Sequence, residues 1–175
     1  MSEFVERVHA LDDAVDKWLE RYRTDTLDRV FYGLSSAADH GMLWHALGIV
    51  RGVRRGDLGY AVRFSKMLGY ESALTNGAIK SLFRRVRPSE HFTNDDPLPY
   101  GMRRPITSSF PSGHAATAFM CAVLLSKGNR AAPFYFSLAA LVASSRVYTR
   151  MHHTSDVAAG AALGLVLGNA VKSRF

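Results

Sequence analysis

Three long segments without charged side chains lie in the C-terminal half of the chain and restrict the folds open to it. Residues 131–145 and 157–171 carry no charge, and residues 113–126 carry one histidine among apolar and small residues. Each is slightly shorter than the roughly 20 apolar residues of a membrane-spanning helix, and each reaches that length if its polar end is included. Glycines at 160, 164 and 168 repeat every fourth residue, as in helices that pack closely in lipid. The segments predict membrane helices.

Two further segments are helical in pattern but less apolar. Residues 31–51 contain Asp39, and residues 58–86 contain Glu71 together with several cations. Charges at membrane depth are costly and usually face the bundle interior, so these carboxylates are expected to pair between helices or to serve a site or lipid headgroups. We predict one all-α domain over residues 1–175, a membrane helical bundle of about five transmembrane helices. A soluble all-helical bundle is the competing architecture.

The first 24 residues have the pattern of an amphipathic helix. Apolar side chains recur at spacings of three and four, with acidic and basic residues between them. Such a helix lies on a membrane surface, packs against a partner helix or covers the surface of a soluble domain. Together with the spans, it predicts an N-terminal amphipathic surface helix. The segment lacks the apolar stretch of a signal peptide. Its apolar positions are Phe4, Val8, Leu11, Val15, Trp18, Leu19 and Tyr22.

The charge balance favours an anionic partner. The formal net charge is +7, which suits phosphate, nucleic acid or an acidic membrane surface. The single cysteine, Cys121, excludes an intrachain disulfide and a cysteine cluster for metal.

A polar loop separates the two halves of the chain. Residues 88–111 are rich in Pro, Asn, Asp and Ser, which disfavour helix, and the stretch is long for a connection in a compact domain. Its length favours a functional loop. Acidic side chains suit hydroxyl groups and arginines suit phosphate, although charged loop residues are also commonly just solvated. The candidates for headgroup binding are Glu90, His91, Asp95, Asp96, Arg103 and Arg104.

Two short motifs flank this loop. In the first, Lys80 and Arg87 are seven residues apart, nearly two helical turns, so we expect both cations on one face of a helix that ends at Pro88. In the second, Pro111-Ser112-Gly113-His114 precedes an apolar run. Proline suits the first helical position, and the free N–H groups of a helix start bind anions, with Ser112 adding a hydroxyl and Gly113 permitting close approach.

The third motif runs from Ser145-Arg146 to His152 and Asp156. His152 and Asp156 are four apart and share a face if helical, so the carboxylate can hold one imidazole nitrogen and leave the other free to attack. We expect Thr154 or Ser155 to cap the helix that Asp156 opens. His153 cannot share that geometry, and His152 is therefore the predicted nucleophile.

In this order and spacing, the three motifs resemble the type 2 phosphatidic-acid phosphatase superfamily over residues 58–171. The resemblance implies that His152 attacks phosphorus to form a phosphohistidine and that Asp156 orients it. It implies that His114 protonates the leaving oxygen and then activates water. The implied phosphate ligands are Lys80, Arg87, Arg146 and the groups of Ser112 and Gly113. The family needs no metal or other cofactor. His153-Thr154 stands where lipid phosphatases often have Tyr-Pro.

The resemblance implies a multi-pass phosphatase of the cell (plasma or inner) membrane. Its expected partners are a lipid-linked phosphate substrate and membrane lipids, with a homodimer permitted and no nucleic acid. By size, the chain resembles the subgroup that acts on decaprenylphosphoryl-5-phosphoribose. Phosphatidate, phosphatidylglycerol phosphate and prenyl diphosphates stay open as substrates. The alternatives are a vanadium haloperoxidase-like enzyme and a non-enzymatic basic protein that binds nucleic acid or a membrane.

Overall fold

The computed structural model describes residues 3–88, 99–101 and 105–175. Over these ranges the chain forms seven α-helices and no β-strand, which confirms the all-helical prediction. The helices are α1 Glu3–Glu20, α2 Asp25–Ala37, α3 Met42–Arg54, α4 Leu58–Ser72, α5 Gly113–Ser126, α6 Ala132–Tyr148 and α7 Thr154–Val171. A π-helix at Ala73–Ile79 continues α4, and 3₁₀ turns lie at Asp39–Gly41, Pro99–Gly101 and Lys172–Arg174.

Helix α5 is the centre of the bundle. Ten of its side chains or glycines are buried, and it packs most extensively against α7 and α6. Small residues make this possible, because alanines along α5 let neighbouring helices approach closely. The start of α5 carries His114, so the central helix fixes one part of the predicted site in the best-packed region of the molecule.

The glycines of α7 form its contact with α5. A Cβ added at Gly160 or Gly164 would overlap a backbone carbonyl of α5, that of Ser112 or Ala116 respectively. A Cβ at Gly168 would lie 2.8 Å from Val123 Cβ. The repeat seen in the sequence is therefore the surface on which the two helices meet, and it sets the distance between the segments that carry His114 and His152.

Two predicted helices are interrupted. The helix expected over residues 31–51 breaks at Asp39–Gly41, where His40 and Gly41 have φ of 52° and 70°. The helix expected over residues 58–86 ends near Ser81, and residues 83–88 are not helical. Pro88 disfavours helix at the preceding residue, and the backbone there bonds to the loop instead: Ser109 N–H donates to Arg85 O at 3.0 Å. The prediction that Arg87 lies on that helix is wrong.

Length and composition identify one candidate membrane-spanning helix among the described residues. In the described chain one helix, Thr154–Arg174, is long and apolar enough to cross a bilayer, and the apolar helix Gly113–Ser126 is shorter. Large apolar side chains are nevertheless exposed along other helices of the bundle, including Ile49 and Val53 on α3, Val62 on α4 and Leu141 on α6.

Candidate active site

The three sequence motifs line one cavity of about 610 Å³. Helix α5 contributes His114, the end of α6 contributes Arg146, and the segment before α7 contributes His152. The end of the π-helix contributes Lys80, and the non-helical segment after it contributes Arg87. The structure thus brings together three cations and two histidines that the sequence distributes over more than 70 residues.

The three cations are almost completely buried, with exposed fractions of 6% for Lys80, 9% for Arg87 and 3% for Arg146. Lys80 Nζ lies 3.5 Å from Thr107 Oγ1. Arg87 donates to the carbonyls of Thr107 and Met151. Burial lowers the pKa of Arg87 to about 10, which leaves its guanidinium charged at neutral pH. Three buried positive charges repel one another, so binding of an anion among them would stabilise the cluster.

The guanidinium of Arg146, a residue that lines the cavity, is only partly hydrogen-bonded among the described residues. One guanidinium nitrogen, Nη1, donates to Ser35 Oγ of α2. The buried Nε has no hydrogen-bond partner among the described residues. A buried donor without a partner is costly, and a phosphate oxygen would satisfy it.

The turn before α5 differs in detail from its prediction. Pro111 is not the first helical residue, because Ser112 is the N-cap and α5 begins at Gly113. Ser112 Oγ accepts from Ala115 N–H, and Ser112 N–H donates to the Asp156 carbonyl at 3.0 Å. Ser112 therefore joins α5 to α7, and its own backbone N–H is already used. Gly113 lines the cavity, and a Cβ there would lie 2.5 Å from Asn76 Oδ1.

The Asp156 carboxylate lies on the Nδ1 side of the His152 imidazole. His152 is 2% exposed and Asp156 is fully buried. His152 Nε2 lies 3.3 Å from Arg87 Nη1, whereas His152 Nδ1 faces away from that guanidinium, 3.7 Å from Asp156 Oδ2. The Nδ1–carboxylate distance is an ion-pair separation, longer than a hydrogen bond. The nitrogen nearest the cations is therefore Nε2.

Ser109 is a residue that the sequence analysis missed. Its hydroxyl donates to Asp156 Oδ2 and lies 3.5 Å from His152 Nδ1, so it bridges the pair. Asp156 Oδ2 also accepts from His153 N–H at 2.9 Å, which makes Asp156 part of the helix cap in place of the predicted Thr154 or Ser155. A serine in a polar loop gives no signal of such a role in the sequence.

The environment of His152 keeps its imidazole neutral. Burial, together with the positive charges of Arg87 and Arg146, holds the pKa of His152 well below its usual value of 6.5, against the opposing effect of Asp156. A neutral imidazole is the form that can act as a nucleophile.

Asp39 and Glu71, the two unassigned carboxylates, have different surroundings. Asp39 lines the cavity, and its Oδ1 lies 2.9 Å from His114 Nε2. Glu71 accepts from Thr75 at 2.7 Å and from Thr117 of α5 at 2.5 Å, an interhelical pairing within the bundle. The loop candidates Glu90, His91, Asp95, Asp96, Arg103 and Arg104 lie outside the described residues.

A buried cluster of cations beside two histidines, each of which faces a carboxylate, is an arrangement suited to anion binding and phosphoryl chemistry within a helical bundle. The PAP2 superfamily model matches residues 58–175, and the chain belongs to this superfamily, as its motifs indicated.

Two curated relatives are phosphatases of lipids. The chain is 41% identical over 78 residues to the lipid A 1-phosphatase of Porphyromonas gingivalis, covering 39% of this chain and 17% of the relative. It is 36% identical over 96 residues to the decaprenylphosphoryl-5-phosphoribose phosphatase of Mycobacterium tuberculosis, covering 54% of this chain and 50% of the relative. The chain thus spans half or less of the length of either relative.

Two solved structures share the fold. The transmembrane PAP2-type phosphatidylglycerolphosphate phosphatase of Bacillus subtilis has a TM-score of 0.75 and 26% identity, with 96% of this chain and 86% of that chain covered. Aquifex aeolicus LpxE has a TM-score of 0.70 and 24% identity, with 94% and 96% covered. Both matches extend beyond the PAP2 region into the N-terminal third of this chain.

Proposed function

We propose that this protein is an integral membrane lipid phosphatase that removes a terminal phosphate monoester through a phosphohistidine on His152. The proposal rests on one observation: a single cavity is lined by three cations and two histidines, and Asp156 lies on the Nδ1 side of His152. The lining residues are Lys80, Arg87, Arg146, His114 and His152. The named activities of the PAP2 relatives support the lipid phosphatase class.

In the first step, His152 Nε2 attacks phosphorus in line with the ester oxygen. The P–N bond forms as the P–O bond to the lipid breaks, and His114 gives its proton to the departing alkoxide. Lys80, Arg87 and Arg146 hold the equatorial oxygens, whose negative charge the three cations offset. We assign the backbone N–H of Gly113 as a further donor to the phosphate oxygens. The backbone N–H of Ser112 is not available for this, because it donates to the Asp156 carbonyl.

In the second step, water attacks phosphorus and gives its proton to His114. The P–N bond breaks, inorganic phosphate leaves, and His152 returns to its neutral form. Asp156, with Ser109, holds Nδ1 throughout, so that Nε2 keeps its lone pair toward the substrate. The cations provide the charge stabilisation that a metal ion provides in other phosphatases, so we propose a metal-independent reaction.

We propose that α3 to α7 cross the membrane as five spans and that α1 lies on the surface at the catalytic end. The apolar side chains exposed on α3, α4 and α6 support lipid contact along the bundle, and Phe4, Leu11, Trp18 and Tyr22 form an exposed apolar face on or next to α1. A polyprenyl phosphosugar phosphate is the substrate we favour, because the mycobacterial relative carries that activity in its name.

Phosphate release by detergent-purified protein in EDTA tests the proposal. Wild type and His152→Ala would be compared on a polyprenyl phosphosugar phosphate, a prenyl diphosphate, phosphatidate, phosphatidylglycerol phosphate and lipid A. We expect release by wild type alone, fastest on the polyprenyl phosphosugar phosphate. Equal release by both proteins would exclude His152 as nucleophile, and no release from any lipid would overturn the lipid phosphatase class.

A further inference from the structure

Helix α1 contains one buried residue, and that residue is a carboxylate. Asp12 is 2% exposed, whereas apolar residues of the same helix, such as Phe4 at 75% and Leu11 at 67%, face outward. Asp12 Oδ1 accepts from Ser155 N–H at 2.8 Å, and Asp12 Oδ2 accepts from Ser155 Oγ at 2.6 Å. The helix therefore docks through its polar side, on the first turn of α7.

Arg85 connects this carboxylate to the site. Its Nη2 donates to Asp12 Oδ2 at 2.6 Å, and its Nη1 donates to Asp156 Oδ1 at 2.6 Å and to Ser155 Oγ at 2.7 Å. One planar guanidinium thus holds two carboxylates at once, which a lysine ammonium could not do with the same geometry. The Arg85 side chain is 20% exposed, and those of Asp12 and Asp156 are 3% and 0% exposed, so these ion pairs are largely shielded from solvent.

The two carboxylate oxygens of Asp156 have different partners. Oδ2 faces His152 Nδ1 and accepts from Ser109 and His153, whereas Oδ1 is held by Arg85. Rotation of the carboxylate would move Oδ2 away from Nδ1, and the Arg85 contact opposes that rotation. Arg85 in turn is fixed from its other side by Asp12.

We propose that Asp12 and Arg85 are positioning residues for the Asp156–His152 pair, so that docked α1 completes the active site. The inference rests on the proposed function, because it gives α1 a part in the histidine chemistry. Residue 12 lies outside the region that the PAP2 model matches, residues 58–175, so the family match assigns it no role.

The matched variants are Asp12→Asn with Asp13→Asn as control, and Arg85→Gln with Arg84→Gln as control. Asp13 and Arg84 are exposed neighbours of the same residue types. Turnover is measured well below the unfolding temperature of each variant. We expect Asp12→Asn to lower kcat on the order of tenfold, as for a lost hydrogen bond to a charged group, with KM within about twofold of wild type. The controls should match wild type.

Two further readouts separate positioning from simple anchoring of the helix. Because Asp12 acts through Arg85, the double variant should be no slower than Arg85→Gln alone. In protein labelled with ¹⁵N-histidine, the His152 signals, assigned by their loss in His152→Gln, should change from one tautomer to a mixture in Asp12→Asn. This spectrum needs no turnover.

Wild-type kcat and an unchanged His152 tautomer in Asp12→Asn would overturn the inference, as would additive losses in the double variant. Absence of phosphate release by wild type is a separate outcome, which contradicts the proposed function. In that case the tautomer measurement still decides whether Asp12 positions His152.

Discussion

Asp39 Oδ1 lies 2.9 Å from His114 Nε2, and both side chains line the cavity that holds His152. Asp39 belongs to the 3₁₀ turn between α2 and α3, and His114 to the first turn of α5. Burial alone would raise the pKa of Asp39, but the His114 contact and the charge of Arg146 leave it below its usual value, so the carboxylate is ionised. The Asp39 carboxylate favours the protonated imidazole that a general acid requires, against burial and the charge of Arg146, which favour the neutral form of His114.

Replacement of Asp39 should therefore impair proton delivery to the leaving group. We expect Asp39→Asn to lower kcat on the lipid substrate by roughly 10- to 100-fold, less than the loss of a general acid itself. In rapid-mixing experiments with p-nitrophenyl phosphate, whose leaving group needs no proton, the burst of p-nitrophenol should keep its wild-type rate. Asp25→Asn, on the exposed start of α2, is the control. An equally slow burst would assign Asp39 a different role.

Arg146 should matter for its geometry as well as its charge. Arg146→Lys keeps the positive charge but removes the buried Nε that has no partner among the described residues. We expect kcat/KM to fall on the order of 10²-fold, as for a lost oxyanion donor. Ser35→Ala removes the partner of Arg146 Nη1 and keeps Nε, so kcat/KM should fall much less in this variant. Similar losses in both variants would show that the Ser35 contact, rather than Nε, is what the reaction requires.

Stability should depend on pH through His152. Its pKa lies well below 6.5 in the folded protein, so below pH 6.5 the unfolded chain binds a proton that the folded chain does not. The free energy of unfolding should then fall as pH falls, by up to about 1.4 kcal/mol per pH unit from this group. Thermal unfolding between pH 7 and pH 5 should show a shallower decline for His152→Gln than for wild type. Parallel declines would mean that His152 titrates normally.

Close packing of α7 on α5 predicts a difference between two glycines. Gly164→Ala should destabilise the protein by about 1–3 kcal/mol, because its Cβ would overlap the Ala116 carbonyl. Gly33→Ala in α2 should be neutral or stabilising by up to about 1 kcal/mol, because no other described residue outside its own helical turn comes within 4 Å of an added Cβ. Unfolding temperatures in the same detergent measure both. An unaffected Gly164→Ala variant would contradict the helix contact.

The sequence identified the groups that share the cavity because their chemistry is concentrated in short motifs. Lys80, Arg87, His114, Arg146 and His152 all line it, and periodicity alone indicated the glycine surface of α7. Both kinds of pattern are local in the sequence. A motif is recognised from a few neighbouring residues, and a helical repeat is recognised from the residues on one face of a single helix.

The remaining features depend on contacts between distant segments. The sequence marks Asp39 only as a charge at membrane depth. Its approach to His114 follows from the break at Asp39–Gly41, which apolar periodicity does not reveal. In the sequence, Arg85 is one of several arginines in a basic stretch. Its contact with Asp12 arises because residues 83–88 are not helical, which the sequence pattern does not predict. The π-helix before Lys80 likewise has no signal in residue spacing.

Detection of the covalent intermediate tests the central claim most directly. Wild-type protein would be mixed with ³²P-labelled substrate in EDTA and quenched in alkali within milliseconds, since phosphohistidine survives base and decomposes in acid. We predict base-stable, acid-labile label on the peptide that contains His152, formed at least as fast as phosphate is released, and no label in His152→Ala. Label on another residue, or rapid phosphate release without any labelled protein, would contradict the account.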